Sequence, residues 1–389
     1  MIAAARRVFN QSWQPSDYAR LLDSLTFACG EPVPFRICET PCFLPTALVD
    51  KLIASGAELI RQLAESNDYR AASEVAIPAL YRVPNEPHQP LFTQVDFGLV
   101  RNAIGEPEPK LVEIQGFPSL YAFQAVLSAA YNSSSYWRYH PEPISPAGYW
   151  DLLGQAILGH HDPENVVLLE IDPRHQKTRC DFVITESEFK VATVCITELH
   201  RQGNKLFYER NGQTIPIHRI YNRTIIDELE RRQITAPFDW RDELDVEWAG
   251  HPNHYFRFSK FSLPYLRHAS VPQTSFVDQL AEIPADLDHW VLKPLFSFAG
   301  LGVRVGPTKA EIEAIPAAER SQWILQERCD FHPFFETPVG PTKAEIRVMF
   351  IGPKAVGLLV RMGRGAMMGV DQNKGQEWVG ASAALWPAE

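Results

Sequence analysis

Glu113 stands in the middle of an apolar run, KLVEIQGFPSL (110–120), with Gln115 two positions on and a turn through Gly116 and Pro118 after it. Side chains two apart on a strand face the same side, so this carboxylate and amide can share one cation while Ile114 faces the core. A buried glutamate without a partner is costly or takes up a proton, and a divalent cation removes that penalty. The same residues also fit a half-exposed strand with solvated polar groups. A second candidate lies late in the chain, where VLKPLFSFAGLGVRVG (291–306) places Lys293 on a strand that leads into a loop holding Gly300 and Gly302. Backbone N–H groups and one ammonium there can face a polyphosphate, although a plain β-hairpin has the same pattern. The loop matches neither GxxxxGK[ST] nor GxGxxG, which argues against P-loop and Rossmann dinucleotide sites.

The elements that must position these groups alternate between helix and strand. Residues 46–66 carry Leu48, Leu52, Ile53, Leu59, Ile60 and Leu63 at helical spacing behind Thr46. LFTQVDFGLV (91–100) and KLVEIQGF (110–117) read as strands joined by RNAIGEPEP, and 119–131 reads as a helix. The polar, proline-rich stretch 131–148 suggests a boundary near residue 150. Beyond it, strands at 166–171 and 191–199 flank a helix around 177–188, the pattern of a small parallel sheet. The pair Asn211-Gly212 within 206–223 signals a hairpin. After about residue 250 the pattern turns to strands with tight turns: KFSLPYL, 291–306, WILQERCDF and AEIRVMFIGPKAVGLLVRMG. The expectation is an α/β (α+β) chain in three parts, 1–150, 151–250 and 251–389.

With 389 residues, 45% of them hydrophobic, the chain can bury a large core. Thirty-seven basic residues against 47 acidic ones give a net charge of −10 without long runs of either sign, which argues against nucleic acid or an anionic membrane as the main partner. No stretch reaches the roughly 18 apolar residues of a membrane span, so a cytoplasmic protein is expected. Cys29, Cys38, Cys42, Cys180, Cys195 and Cys329 are too scattered for a disulfide framework and lack zinc spacing. His160, His161, His175, His200 and His218 show neither HExxH nor HxH spacing and read as structural. No GxSxG elbow is present.

The order of pieces from residue 255 onward resembles the nucleotide clamp of the ATP-grasp superfamily. Lys260 in RFSKFSL and Lys293 look like its two phosphate-binding lysines, and 296–302 looks like its phosphate-covering flap. Gln326 and Glu327 stand where the hinge meets adenine and ribose, and Glu345, Arg347 and Arg361 stand on the strands lining the γ-phosphate and acyl site. The acidic strands that usually close such a chain occur early here, as VDFG and LVEIQGFPS, so the arrangement resembles the circularly permuted, glutathionylspermidine synthetase-like enzymes. IYNRTIIDEL (220–229) is similar to a stretch of that group. The resemblance covers 90–260 loosely and 260–365 better.

It implies ATP and Mg2+ as cofactors, with Asp96, Glu113 and Gln115 as metal shell. Lys260, Lys293, Ser297, Ala299, Gly300, Gly302, Gln326 and Glu327 would hold the nucleotide, and Arg347 and Arg361 would be catalytic. The implied reaction is ligation of a small-molecule carboxylate to an amine through an acylphosphate. Two positions depart from the pattern: Gln115 replaces an asparagine, and Gln94 replaces an arginine, which removes a positive charge from the acyl-transfer region. Gln94 and the lack of an acid in the 296–302 loop keep open a non-catalytic ATP-binding protein, and an ATP-dependent phosphotransferase that stops at a phosphorylated product is a third possibility. A competing metal pair, Asp371 and Asn373, lies in MMGVDQNKGQEW (367–378), which also reads as a turn or, with Gly363, Gly365, Gly369 and Gly375, as a substrate-covering loop.

Overall fold

A computed structural model of the protein describes residues 1–132, 134–296, 301–366, 368 and 375–388. It is a mixed α+β structure built on several sheets. The largest runs in the order Cys42–Phe43, Gly380–Pro387, Lys354–Gly363, Lys343–Ile351, Phe92–Arg101, Pro107–Gln115, with Trp137–Arg138 added on the outer part of Gly380–Pro387. All its pairings are antiparallel except Cys42–Phe43 with Gly380–Pro387. Its core strands are therefore drawn from the early and the late chain, and Phe92–Arg101 lies between Pro107–Gln115 and Lys343–Ile351.

Alternation decides what each face of that sheet meets. Val95, Phe97 and Leu99 are buried in one cluster with Leu48, Leu52, Leu59 and Leu63 of the helix Thr46–Glu65. Phe92 and Met349 are buried in a second cluster with Phe123 and Leu127 of the helix Tyr121–Tyr131. Phe92 through Leu99 are all buried, which is why TQVDFGLV carries so little polar alternation.

Residues 166–249 build an all-parallel sheet in the order Glu247–Ala249, Arg219–Asn222, Val166–Glu170, Ala192–Cys195. The intervening helix spans Arg179–Phe189. The expected strand at 191–199 is shorter than its apolar run, because the chain turns into a 3-10 helix at Ile196–Glu198. The Asn-Gly hairpin forms between Lys205–Arg210 and Gln213–Ile217, with φ of 53° at Asn211 and 76° at Gly212, the backbone that a two-residue type I′ turn requires.

A separate antiparallel sheet orders Thr274–Phe276, Trp323–Glu327, Trp290–Pro294 and Arg304–Val305. KFSLPYL, expected as a strand, is instead a 3-10 helix at Lys260–Tyr265. Ser259 starts it by accepting the Phe261 N–H at 3.2 Å, a local cap that apolar spacing does not reveal. No helix among the described residues is long and apolar enough to cross a membrane.

Candidate functional site

Two charged rows run across the central sheet. In the first, Glu113, Asp96 and Arg347 are successive register partners; in the second, Gly98, Glu345 and Arg361 are. The register of Phe92–Arg101 against Pro107–Gln115 slips between Asp96 and Phe97, a bulge at the point where the polar residues gather.

Asp96 is fully buried and doubly clamped. Arg347 donates through Nε to Oδ1 and through Nη2 to Oδ2, both at 2.7 Å, and Arg361 Nη2 donates to Oδ2 at 2.5 Å. Burial pushes this carboxyl upward, but the two guanidinium groups outweigh it and hold it below the usual aspartate value. Glu345 shares Arg361, at 2.5 Å, and lacks an equivalent of Arg347. Burial therefore dominates there and raises its carboxyl to about 6, against the attraction of Arg361 and with Asp96 adding repulsion.

Glu113, Lys260, Lys293, Gln326, Arg347 and Arg361 all line one cavity of about 420 Å³, within the range of small-ligand sites. Asp96 does not reach its wall. Lys293 Nζ donates to the Val112 carbonyl at 3.1 Å and to Gln326 Oε1 at 2.5 Å, so one buried ammonium ties the sheet of Trp290–Pro294 to the edge of the central sheet. Burial lowers its pKa and Glu113 opposes that shift. Glu113 lies 3.8 Å from Lys260 Nζ and accepts the Gln115 amide at 2.5 Å. Gln326 Nε2 is buried without a partner among the described residues, an unmet donor that a ligand acceptor could satisfy.

Local backbone explains why these groups meet. Gly116 N–H donates to the Phe258 carbonyl at 2.7 Å, and a Cβ at Gly116 would lie 2.2 Å from the His254 carbonyl oxygen. Only glycine permits that approach, which brings the segment holding Lys260 against the strand holding Glu113. The following turn is fixed by the parallel-sheet region. Leu120, left-handed at φ 62°, and Phe123 donate their N–H groups to buried Asp181 at 3.1 and 2.9 Å, while Arg223 stacks over Phe117 at 5.5 Å. Asp181 and Arg223 were not singled out from the sequence, since each lies far along the chain from the turn that it holds.

The structure thus brings Lys260, Lys293, Gln326, Glu327, Glu113, Gln115, Arg347 and Arg361 to one cavity and leaves Asp96 behind it. Gly302, at φ 76°, follows the loop, but Ser297, Ala299 and Gly300 lie outside the described residues, as do Asp371 and Asn373. Phe35, Lys177, Cys329, Phe331 and Lys343 also line the cavity and were not anticipated. Phe331 has one sequence signal, Gly98: a Cβ there would lie 1.9 Å from the Phe331 ring. The charge absent at Gln94, whose amide donates to Ser119 O at 2.5 Å, is supplied to Asp96 from the neighbouring strands by Arg347 and Arg361.

An α+β scaffold with a basic cavity between two sheets is the class that these observations define. No protein-family model matches the chain, and no curated protein matches it. Among solved structures the chain is similar to the apo form of a glutathione synthetase-like effector, GSS30, from Globodera pallida. That likeness has 11% identity and a TM-score of 0.56 over 95% of this chain and 98% of that one, a likeness of fold.

Proposed function

We propose that the chain is an ATP-dependent ligase that joins a carboxylate to an amine. The observation that carries this reading is the meeting of Lys260 and Lys293 with Glu113 and Gln115 at one cavity between two sheets, in a fold similar to that of a glutathione synthetase-like protein. In this reading the substrate carboxylate attacks the γ-phosphorus, the bond to ADP breaks, and an acylphosphate forms. The amine then attacks the acyl carbon, phosphate leaves, and the amine proton passes to solvent.

Lys260 and Lys293 would neutralise the phosphates, Gln326 would offer its unmet amide N–H to the base or ribose, and Arg361 would face the charge of the transferred phosphoryl group. The oxygen donors fit magnesium in part. Glu113 and Gln115 would hold it from the cavity wall, where it would offset phosphate charge. Asp96 fits less well, because both of its oxygens already accept guanidinium N–H groups.

That last observation favours a second reading, a nucleotide-binding chain without turnover. Thermal melts with ATP and Mg2+, followed by ADP release with a panel of acids and amines, test both. A ligand that binds only the folded state raises the melting temperature, and Glu113→Ala is expected to remove the magnesium-dependent part. ADP release coupled to an amide product supports the ligase, and a phosphorylated product without amide indicates a phosphotransferase. A melting shift without turnover supports the second reading, and no shift in the intact protein removes all three.

A further inference from the structure

Outside the cavity, one cluster of side chains has metal-binding chemistry that the proposed reaction does not use. The helix Pro146–Leu158 ends at Gly159, left-handed in φ at 61°, and the next two residues are His160 and His161. Their rings lie 4.4 Å apart between centroids, and both face Glu247 of the parallel sheet. His161 Nε2 is 3.2 Å from Glu247 Oε2, and His160 Nε2 is 3.8 Å from Oε1. One donor atom from each of the three residues falls within 4.8 Å of the others. His218, which opens the neighbouring strand, has its ring centre 5.8 Å from that of His161.

The frame around the cluster is fixed before any ligand arrives. Arg219 donates through Nε to the Ile157 carbonyl and through Nη2 to that of Ala156, both at 3.0 Å, and so satisfies the end of the helix. Its Nη1 donates to Glu247 Oε2 at 2.6 Å, orienting the carboxylate so that Oε1 stays on the His160 side. A carboxylate oriented by a second partner is a common support for metal ligands. His161 Nε2 is buried and faces Glu247 Oε2 at 3.2 Å, a contact that a cation between the two would replace.

We propose that His160, His161 and Glu247 bind one borderline divalent transition-metal ion, of the Zn2+ class, with His218 at the margin as a further imidazole. Two imidazoles with one carboxylate select zinc, nickel or copper over magnesium or calcium, which prefer all-oxygen shells. Metal–nitrogen bonds of about 2.0–2.1 Å set tetrahedral donors about 3.3 Å apart. His161 Nε2 and Glu247 Oε2, the oxygen that Arg219 also holds, already have that spacing, and His160, 81% exposed and 3.8 Å from Oε1, closes the remainder by rotating its side chain. None of these residues lines the cavity, so the site is independent of the proposed nucleotide chemistry.

Titration of the metal-free full chain with Zn2+ alone, followed by calorimetry, tests the site. One ion per chain is expected, and excess Mg2+ should leave its binding intact. His160→Ala with His161→Ala, and separately Glu247→Gln, should each weaken binding by about tenfold or more. His160→Ala alone keeps the test valid if the double change disturbs folding, because that ring is largely solvent-exposed. Zn2+ binding that is absent in the parent, or equally tight in His160→Ala and in Glu247→Gln, overturns the proposal.

Discussion

Asp96 and Glu113 are register partners on adjacent strands, yet they sit in opposite circumstances. Asp96 is dry and gives both oxygens to two arginines; Glu113 is 21% exposed on the cavity wall, accepts the amide of Gln115 and lies 3.8 Å from Lys260. Two acidic residues joined by one pairing thus have different work. Asp96 anchors guanidinium groups inside the sheet, while Glu113 lies on the cavity wall, where the proposed function has it hold a cation. The difference comes from neighbours: Asp96 lies on a central strand with Arg347 directly across, and Glu113 lies on the edge strand, where Lys260 and Lys293 reach it from outside the sheet.

Removing each carboxylate should break the comparison most visibly. Asp96→Ala strips Arg347 of the carboxylate that holds it and leaves Arg361 to Glu345, and breaking a buried pair on one side costs about 3–5 kcal/mol. Chemical denaturation should therefore show a large loss of stability. Glu113→Ala removes a longer, partly exposed contact, and its loss should stay within about 1 kcal/mol. Equal losses from both changes would mean that the two carboxylates are not divided between structure and binding.

The glycines on the same two strands give a smaller effect and sharpen the contrast. A Cβ at Gly116 meets backbone, the His254 carbonyl oxygen at 2.2 Å, whereas one at Gly98 meets the side-chain ring of Phe331. A ring can rotate away and a carbonyl cannot. Gly116→Ala is expected to cost about 1–3 kcal/mol in denaturant melts and, on the proposed function, to weaken ATP binding by displacing Lys260. Gly98→Ala should cost less and should alter the cavity wall at Phe331.

Local pattern made much of this fold legible. The runs at 91–100 and 110–117, the helical spacing in 46–66 and the Asn211-Gly212 turn each carry their own signal, and the structure has elements at all of them. The face shared by Glu113 and Gln115 follows from strand periodicity alone. KFSLPYL misled because Phe261 and Leu263 alternate as on a strand, whereas the Ser259 cap and Pro264 make a 3-10 turn. The clamp on Asp96 was illegible for another reason: Arg347 lies 251 positions away, and the register between distant strands sets the pairing. Asp181, on the helix Arg179–Phe189, and Arg223, just after the strand Arg219–Asn222, act on the 116–120 turn from far along the chain, a contact that no local pattern encodes.

Proton uptake gives the finest test of how neighbours divide the carboxylates. Glu345 is raised to about 6 and Glu170 to about 8, in each case first by burial; Arg361 opposes the shift at Glu345, and Arg223, 4.0 Å away, opposes it at Glu170. A carboxyl whose folded value exceeds its unfolded value near 4.5 binds more protons when folded. Its contribution to stability is therefore full below about 4.5 and declines as pH rises to the folded value. Glu345→Gln should remove a decline confined to about pH 4.5–6, and Glu170→Gln one that extends to about pH 8. Asp96 runs the other way: its lowered value adds stability above about 3.8 that is lost as pH falls below that. His140 and His254, each lowered to about 4 chiefly by burial, also destabilise the fold on acidification, from about 6.5 downward. They are common to parent and variants, so the difference curves isolate the glutamates. Coincident curves for Glu345→Gln and its parent across pH 4.5–6 would show that Arg361 serves Glu345 as fully as it serves Asp96.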